Sequence, residues 1–201
     1  MSADNERLAR QIGFVLEIDK LKRVLRQTPV TAGATGDARR ENSAEHSWHI
    51  ALMAVLLAEH AGPEVDTERV IKMLLIHDLV EIDAGDTFLY DRAAGAEQAA
   101  REAAAAARLY ALLPADQAAE LAALWREFDA GTTADARFAI AIDQFQPVLL
   151  NHRTGGGSWI AHDVEGVDVL TRKRVIEAGA PALWRLAEAL IRDAIAKGWL
   201  R

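Results

Sequence analysis

Five side chains able to do chemistry stand in apolar surroundings: His77, Asp78 and Glu81 in VIKMLLIHDLVEIDAGD (residues 70–86), His46 in ENSAEHSWHIALMA, and Asp143 in RFAIAIDQF. Such runs should exclude charge. A carboxylate taken into a core without a partner costs several kcal/mol, so it takes up a proton, pairs, or binds a metal. On a helix His77 and Asp78 are about 100° apart, and Glu81 follows them by four and three residues, which lets all three border one pocket. Two readings fit these residues. In one, imidazole and carboxylate hold a divalent metal whose charge offsets the desolvation of Asp78. In the other, a buried His-Asp hydrogen bond lies inside and Glu81 faces solvent.

The elements that position these groups read as helices. Residues 4–26 carry apolar positions at helical spacing and end in the basic run KLKRVLRQ. Cations there suit the helix dipole, and Arg26 is the one placed to reach a substrate phosphate. TPVTAGATGD, residues 28–37, is a turn-rich loop, and Arg39 and Arg40 follow it as candidate phosphate contacts. Asn42 with Glu45 fits a capping box, so a helix begins near Ser43 and runs to about Ala61, with His46 in its first turn. His49, three residues on, is expected in the core or behind the metal ligands, and His60 at the surface. The central helix, capped by Asp66 or Thr67, closes near Ala84-Gly85, and Asp86 lies in the loop beyond.

After a connection at 87–96 come an alanine-rich helix over 97–113, a helix from Pro114 to Phe128, and one from Ala134 to Asn151 that Pro147 kinks. The NHRTGGGSWIAHD segment reads as a flexible loop with His152 and His162 at the surface, and helices over 163–178 and 181–197 complete the core. No stretch alternates with period two. The expected fold is all-α, a bundle of seven or eight helices in a single domain, with a core over about 10–150 and the C-terminal helices packed on it.

Composition bounds the function classes. Hydrophobic residues make up 51% and charged residues 26% of 201, ordinary for a soluble globular protein. With no cysteine, any metal must be held by nitrogen and oxygen. No signal core or apolar run of roughly 18 residues is present, so no membrane association and a cytoplasmic location are expected. A net charge of -7 argues against nucleic-acid binding while leaving room for one small anionic substrate.

His46, the His77-Asp78 pair and Asp143 fall in order on three expected helices. That order resembles the HD-domain metal-dependent phosphohydrolases, whose signature is His, then His-Asp, then a later Asp around a divalent metal. ARRENSAEHSWHIA, LLIHDLVEIDAGD and AIDQFQP resemble more closely the branch of bacterial 5′-deoxynucleotidases and eukaryotic HD-domain relatives, over roughly residues 10–150. The resemblance implies hydrolysis of deoxyribonucleoside 5′-monophosphates by a homodimer. It implies His46, His77, Asp78 and Asp143 as metal ligands, Glu81 beside the attacking water, Asp86 near the sugar and Arg26 at the phosphate. Gln27 departs from it, standing where the deoxynucleotidases carry an aromatic residue. The donor set suits Mn, Co, Fe, Ni or Zn, with Mg also considered. Alternative readings are an HD phosphohydrolase for another nucleotide or phosphoester, and a nucleotide-binding regulator without turnover.

Overall fold

The computed structural model describes residues 3–31, 39–87, 89–90 and 95–201. α1 (Ala3–Ile18) opens the chain and tightens into a 3-10 turn at Asp19–Arg23. Two short strands, β1 (Leu25–Pro29) and β2 (Arg40–Asn42), lead into α2 (Ser43–Leu57). α3 (Thr67–Ile76), a 3-10 turn at His77–Val80 and α4 (Glu81–Ala84) form the stretch that carries the His-Asp pair. α5 (Gly95–Tyr110), α6 (Ala115–Ala130) and α7 (Ala134–Arg153) follow. The chain closes with α8 (Gly157–Ala161), α9 (Gly166–Lys173), α10 (Val175–Gly179) and α11 (Pro181–Ala196). The fold is all-α, as expected, with one two-stranded ribbon added.

Local signals explain the helix starts. Asn42 Oδ1 accepts from the Glu45 amide at 3.0 Å while Glu45 Oε2 accepts from the Asn42 amide at 3.2 Å, a reciprocal capping box that begins α2 at Ser43. The Asp66 carboxylate accepts from the amides of Glu68 and Arg69 and starts α3. Thr133 does the same for Ala136 at the start of α7. Pro147 lies inside α7 without ending it; lacking an N–H, it leaves the Asp143 carbonyl without its usual helical donor.

Four sequence expectations change. The first helix stops at Ile18 rather than running to 26, so Arg26 sits on β1 and not on a helix end. β1 and β2 pair antiparallel, Leu25 with Asn42 and Pro29 with Arg40, around a register irregularity. Strands this short carry no readable alternation. The central helix is interrupted at His77, where 3-10 winding advances each side chain by about 120° instead of 100°. The glycine run is also tightly packed rather than open: Gly157 has φ +36°, and a Cβ there would lie 2.7 Å from Asn151 Oδ1 and 2.8 Å from Pro29 Cγ. α7 reaches into the expected loop as far as Arg153, and α8 forms within it. Most of the 28–37 loop and part of the 87–96 connection lie outside the described residues.

α7 is the helix on which most of the others pack. Its Phe138, Ala139, Ile142 and Val148 are fully buried, and α2, α3, α6, α10 and α11 all pack against it. Burying one large apolar side chain in this way is worth about 1.5–3 kcal/mol. α10 approaches most closely, because a Cβ on Gly179 would lie 2.0 Å from the Arg137 carbonyl oxygen. The end of α9 reaches α7 beside Asp143 through Lys173, which donates to Gln144. Among the described residues, no helix is long and apolar enough to cross a membrane.

Candidate metal centre

The polar residues of the apolar runs, with Arg26, arrive from five elements, His77 and Asp78 sharing one. His46 is in the first turn of α2, His77 and Asp78 are in the 3-10 turn, Glu81 opens α4, Asp143 is midway along α7 and Arg26 is on β1. His46 Nε2 lies 2.9 Å from Asp143 Oδ1, and His77 Nε2 lies 3.6 Å from the same oxygen. Among the described residues, His46, His77 and Asp143 form one buried group whose donor atoms all lie within 4.8 Å of one another. Asp78 stands at its edge, with Oδ1 2.9 Å from His77 Nε2 and Oδ2 4.0 Å from His46 Nε2. Arg26 donates to Asp78 Oδ2 at 2.6 Å.

The donor set fits a divalent cation on two further grounds. His77 Nδ1 bonds the Leu74 carbonyl at 2.9 Å, which in a neutral ring leaves the lone pair on Nε2, and that buried Nε2 has no partner of hydrogen-bond geometry. The charges also call for a cation. Burial works against a charged His77, yet the negative charges of Asp78 and Asp143 push it up to about 10. Burial likewise opposes ionisation of Asp143, but its hydrogen bond with His46 and the nearby His77 hold it well below the ordinary carboxylate range. Against the same burial cost, His77 and Arg26 hold Asp78 near 2. The cluster thus gathers a proton where it needs positive charge.

Glu81 behaves differently from its neighbours. Burial, followed by the charge of Asp78, pushes it up to about 8, and Ser43 Oγ donates to its Oε2 at 2.5 Å. Its Oε1 stays 3.9 Å from Arg26. Asp86, raised chiefly by burial, comes within 4.0 Å of the same guanidinium. These groups line a cavity of about 250 Å³ whose other walls include Tyr90, Trp125, Phe128 and Trp159. Carboxylates and a cation thus face aromatic rings across one small space.

The two loop arginines stand elsewhere. Arg39 is exposed and pairs with Glu45 through two bonds of 2.7 and 2.8 Å. Arg40 donates to the carbonyls of Arg26 and Leu25, bracing the ribbon. Neither lines the cavity. His49 is half-buried against Gln146 at 3.2 Å, behind the centre as expected, and His60 is exposed. His162 is exposed, whereas His152 is half-buried and bonds Asp193 at 2.6 Å.

Sequence reasoning passed over several polar residues here. Glu41, 2% exposed, faces His46 Nδ1 at 3.4 Å and accepts from Gln146 at 2.6 Å. Gln144 donates to Asp143 Oδ2 at 2.7 Å and accepts from Lys173 at 2.8 Å. For Glu41 and Gln146 a signal existed, since each directly borders a residue or motif already singled out. Lys173 carried none, because a lysine in a last helical turn is ordinary.

The chain was compared with known proteins. A family model described as HD domain matches residues 18–184. Human 5′-deoxynucleotidase HDDC2 is 29% identical over 150 residues, 71% of this chain and 70% of that protein. The Xenopus laevis protein of the same name is 30% identical over 136 residues, 67% of this chain and 66% of that one. A solved structure from Magnetospirillum magnetotacticum MS-1, described as a predicted metal-dependent phosphohydrolase, is 54% identical with a TM-score of 0.92, covering 99% of this chain and 98% of that one. A protein of Pyrococcus horikoshii OT3, at 19% identity and a TM-score of 0.64 over 89% of this chain and 99% of that one, shares the fold. The match spans most of the chain, including every residue of the metal-donor cluster, and the chain belongs to the HD-domain family.

Proposed function

We propose that the protein is a metal-dependent phosphomonoesterase that removes phosphate from deoxyribonucleoside 5′-monophosphates. The observation that carries this reading is Glu81, a buried carboxylate beside the donor cluster whose one oxygen is held by Ser43 while the other faces Arg26 at 3.9 Å. His46, His77, Asp78 and Asp143 are the proposed ligands of one divalent cation, whose identity among Mn, Co, Fe, Ni, Zn and Mg the donor types leave open. When bound, such a cation supplies Lewis acidity toward a phosphoryl oxygen and acidifies a water.

The chain's own groups then divide the work. Glu81 accepts the proton of the attacking water as its oxygen bonds phosphorus. The bond from phosphorus to the 5′ oxygen breaks, and the proton held on Glu81 passes to that oxygen, giving the nucleoside and returning Glu81 to its carboxylate form. Arg26, facing the cavity between Asp78 and Asp86, neutralises the phosphate. Asp86 accepts from a sugar hydroxyl, and the aromatic walls take the base. Support for this substrate comes from the HDDC2 proteins, which carry the 5′-deoxynucleotidase name. Arg39 and Arg40, expected as phosphate contacts, are given no such role, since their guanidinium groups are engaged away from the cavity.

The reading includes a homodimer in the cytoplasm. Exposed apolar rows support the dimer: Leu8, Ile12 and Val15 on α1, and Trp48, Leu52 and Val55 on α2. A monomer mass in solution at micromolar concentration would refute it. The activity is tested by phosphate release from ribo- and deoxyribonucleoside 5′-monophosphates with chelator-stripped protein resupplied with Mn, Co, Zn or Mg. Release from deoxynucleotides that requires metal is expected. No release with metal bound stoichiometrically would refute the assignment.

A further inference from the structure

Six carboxylates, Asp78, Glu81, Asp86, Glu102, Asp129 and Asp143, line the cavity together with two long cationic side chains, Arg26 and Lys173. A dianionic phosphate entering so acidic a space needs cations whose charge is not already matched. Arg26 is matched. It donates to Asp78 at 2.6 Å and stands within 4.0 Å of Glu41, Glu81 and Asp86.

Lys173 is in the opposite condition. Its residue is 4% exposed, and its ammonium donates to Gln144 Oε1 at 2.8 Å. Among the described residues, it forms no ion pair with a carboxylate. An ammonium has three donors, so this neutral amide satisfies one of them. A buried cation without an anion is costly, and a chain keeps one where a ligand supplies the missing charge. The position is also suitable. Gln144, which receives Lys173, itself donates to Asp143 Oδ2 at 2.7 Å, so the ammonium is two hydrogen bonds from the donor cluster. It lies close enough to Asp143 and Arg26 to feel both charges.

We propose that Lys173 is a substrate-binding residue that contacts a phosphate oxygen, completing with Arg26 a two-sided clamp on the phosphomonoester. The inference rests on the phosphomonoesterase reading for its substrate, but the contact itself concerns the phosphate group alone. Lys173 comes from the end of α9, beyond the 46–143 span of the donor cluster. Its bond to Gln144 of α7 holds it at the cavity wall. The C-terminal helices thereby supply part of the binding site as well as covering the core.

The test is calorimetric titration of the full chain with inorganic phosphate, with and without one equivalent of manganese, for wild type, Lys173→Met and Lys173→Arg. Metal content is measured on each. A charge-assisted hydrogen bond is worth enough that Lys173→Met should weaken phosphate binding about tenfold or more in both states. Lys173→Arg should stay within about threefold of wild type, and all three should hold the same metal. Unchanged phosphate affinity in Lys173→Met would overturn the proposal. So would a loss of metal in that variant parallel to the loss of phosphate, which would make Lys173 a positioning residue for Asp143 through Gln144. If wild type hydrolyses no nucleotide yet the phosphate affinities differ as stated, the deoxynucleotidase reading falls and the phosphate contact stands.

Discussion

Ser43 Oγ donates to Glu81 Oε2 at 2.5 Å, joining the first residue of α2 to the first residue of α4. The bond holds one carboxylate oxygen and leaves the other toward Arg26. Ser43→Ala should therefore lower kcat about tenfold with KM changed little, since the proton acceptor loses its orientation but not its presence. Steady-state kinetics on a deoxynucleoside monophosphate checks this. A rise in KM with kcat intact would assign Ser43 to ground-state binding.

Glu41 Oε2 lies 3.4 Å from His46 Nδ1, near but not hydrogen-bonded, on the side of the ring facing away from the donor cluster, where the Leu74 carbonyl bonds the corresponding Nδ1 of His77. Such partners fix the tautomer and orientation of a ligating imidazole. Glu41→Gln should weaken metal affinity about 10–100-fold while the variant stays folded. Competition with a metal indicator reads it out, and an unchanged affinity would leave Glu41 a purely structural anion.

Lys173 also gives a pH dependence with a definite sign. Burial lowers it from 10.5 to about 8. Between those values the unfolded chain binds more protons than the folded one, so stability rises with pH across the window. The contribution is complete above the unfolded value and lost as pH falls through about 8. Wild type should thus gain stability relative to Lys173→Met from pH 7 to pH 10, on the order of 2–3 kcal/mol. Urea unfolding at several pH values measures the difference, and one that stays flat would contradict the shift.

Gly179 tests the close contact between α10 and α7. With the Arg137 carbonyl oxygen 2.0 Å from an added Cβ, Gly179→Ala must push α10 off α7. We expect a loss of at least about 2 kcal/mol in unfolding free energy, together with weaker phosphate binding. Full stability in the alanine variant would show that the helix pair accommodates a methyl group.

The donor cluster was legible because imidazoles and carboxylates in apolar runs such as MLLIHDLV and FAIAIDQF must be paired or bind a metal, and either requirement brings them together. The helix starts were legible for a local reason, since Asn42 with Glu45 and Asp66 act on amides within three residues. What escaped depends on tertiary contact. β1 and β2 are too short to show a period, and the carbonyls of Leu25 and Arg26 are met by Arg40 from across the ribbon. Arg39 and Arg40 looked like substrate contacts because nothing in the sequence reveals that Glu45 and those carbonyls engage them. Lys173 carried no signal in the sequence, because its burial and its bond to Gln144 come from tertiary packing.

The most direct test of the central claim compares wild type with Glu81→Gln, both stripped by chelator and reloaded with manganese, for metal content and for phosphate release from a deoxynucleoside 5′-monophosphate. The account predicts equal metal in both proteins, metal-dependent release by wild type, and a loss of about a hundredfold or more in kcat for Glu81→Gln. Equal rates in the two proteins would contradict the assignment of Glu81 as the group that takes the proton of the attacking water.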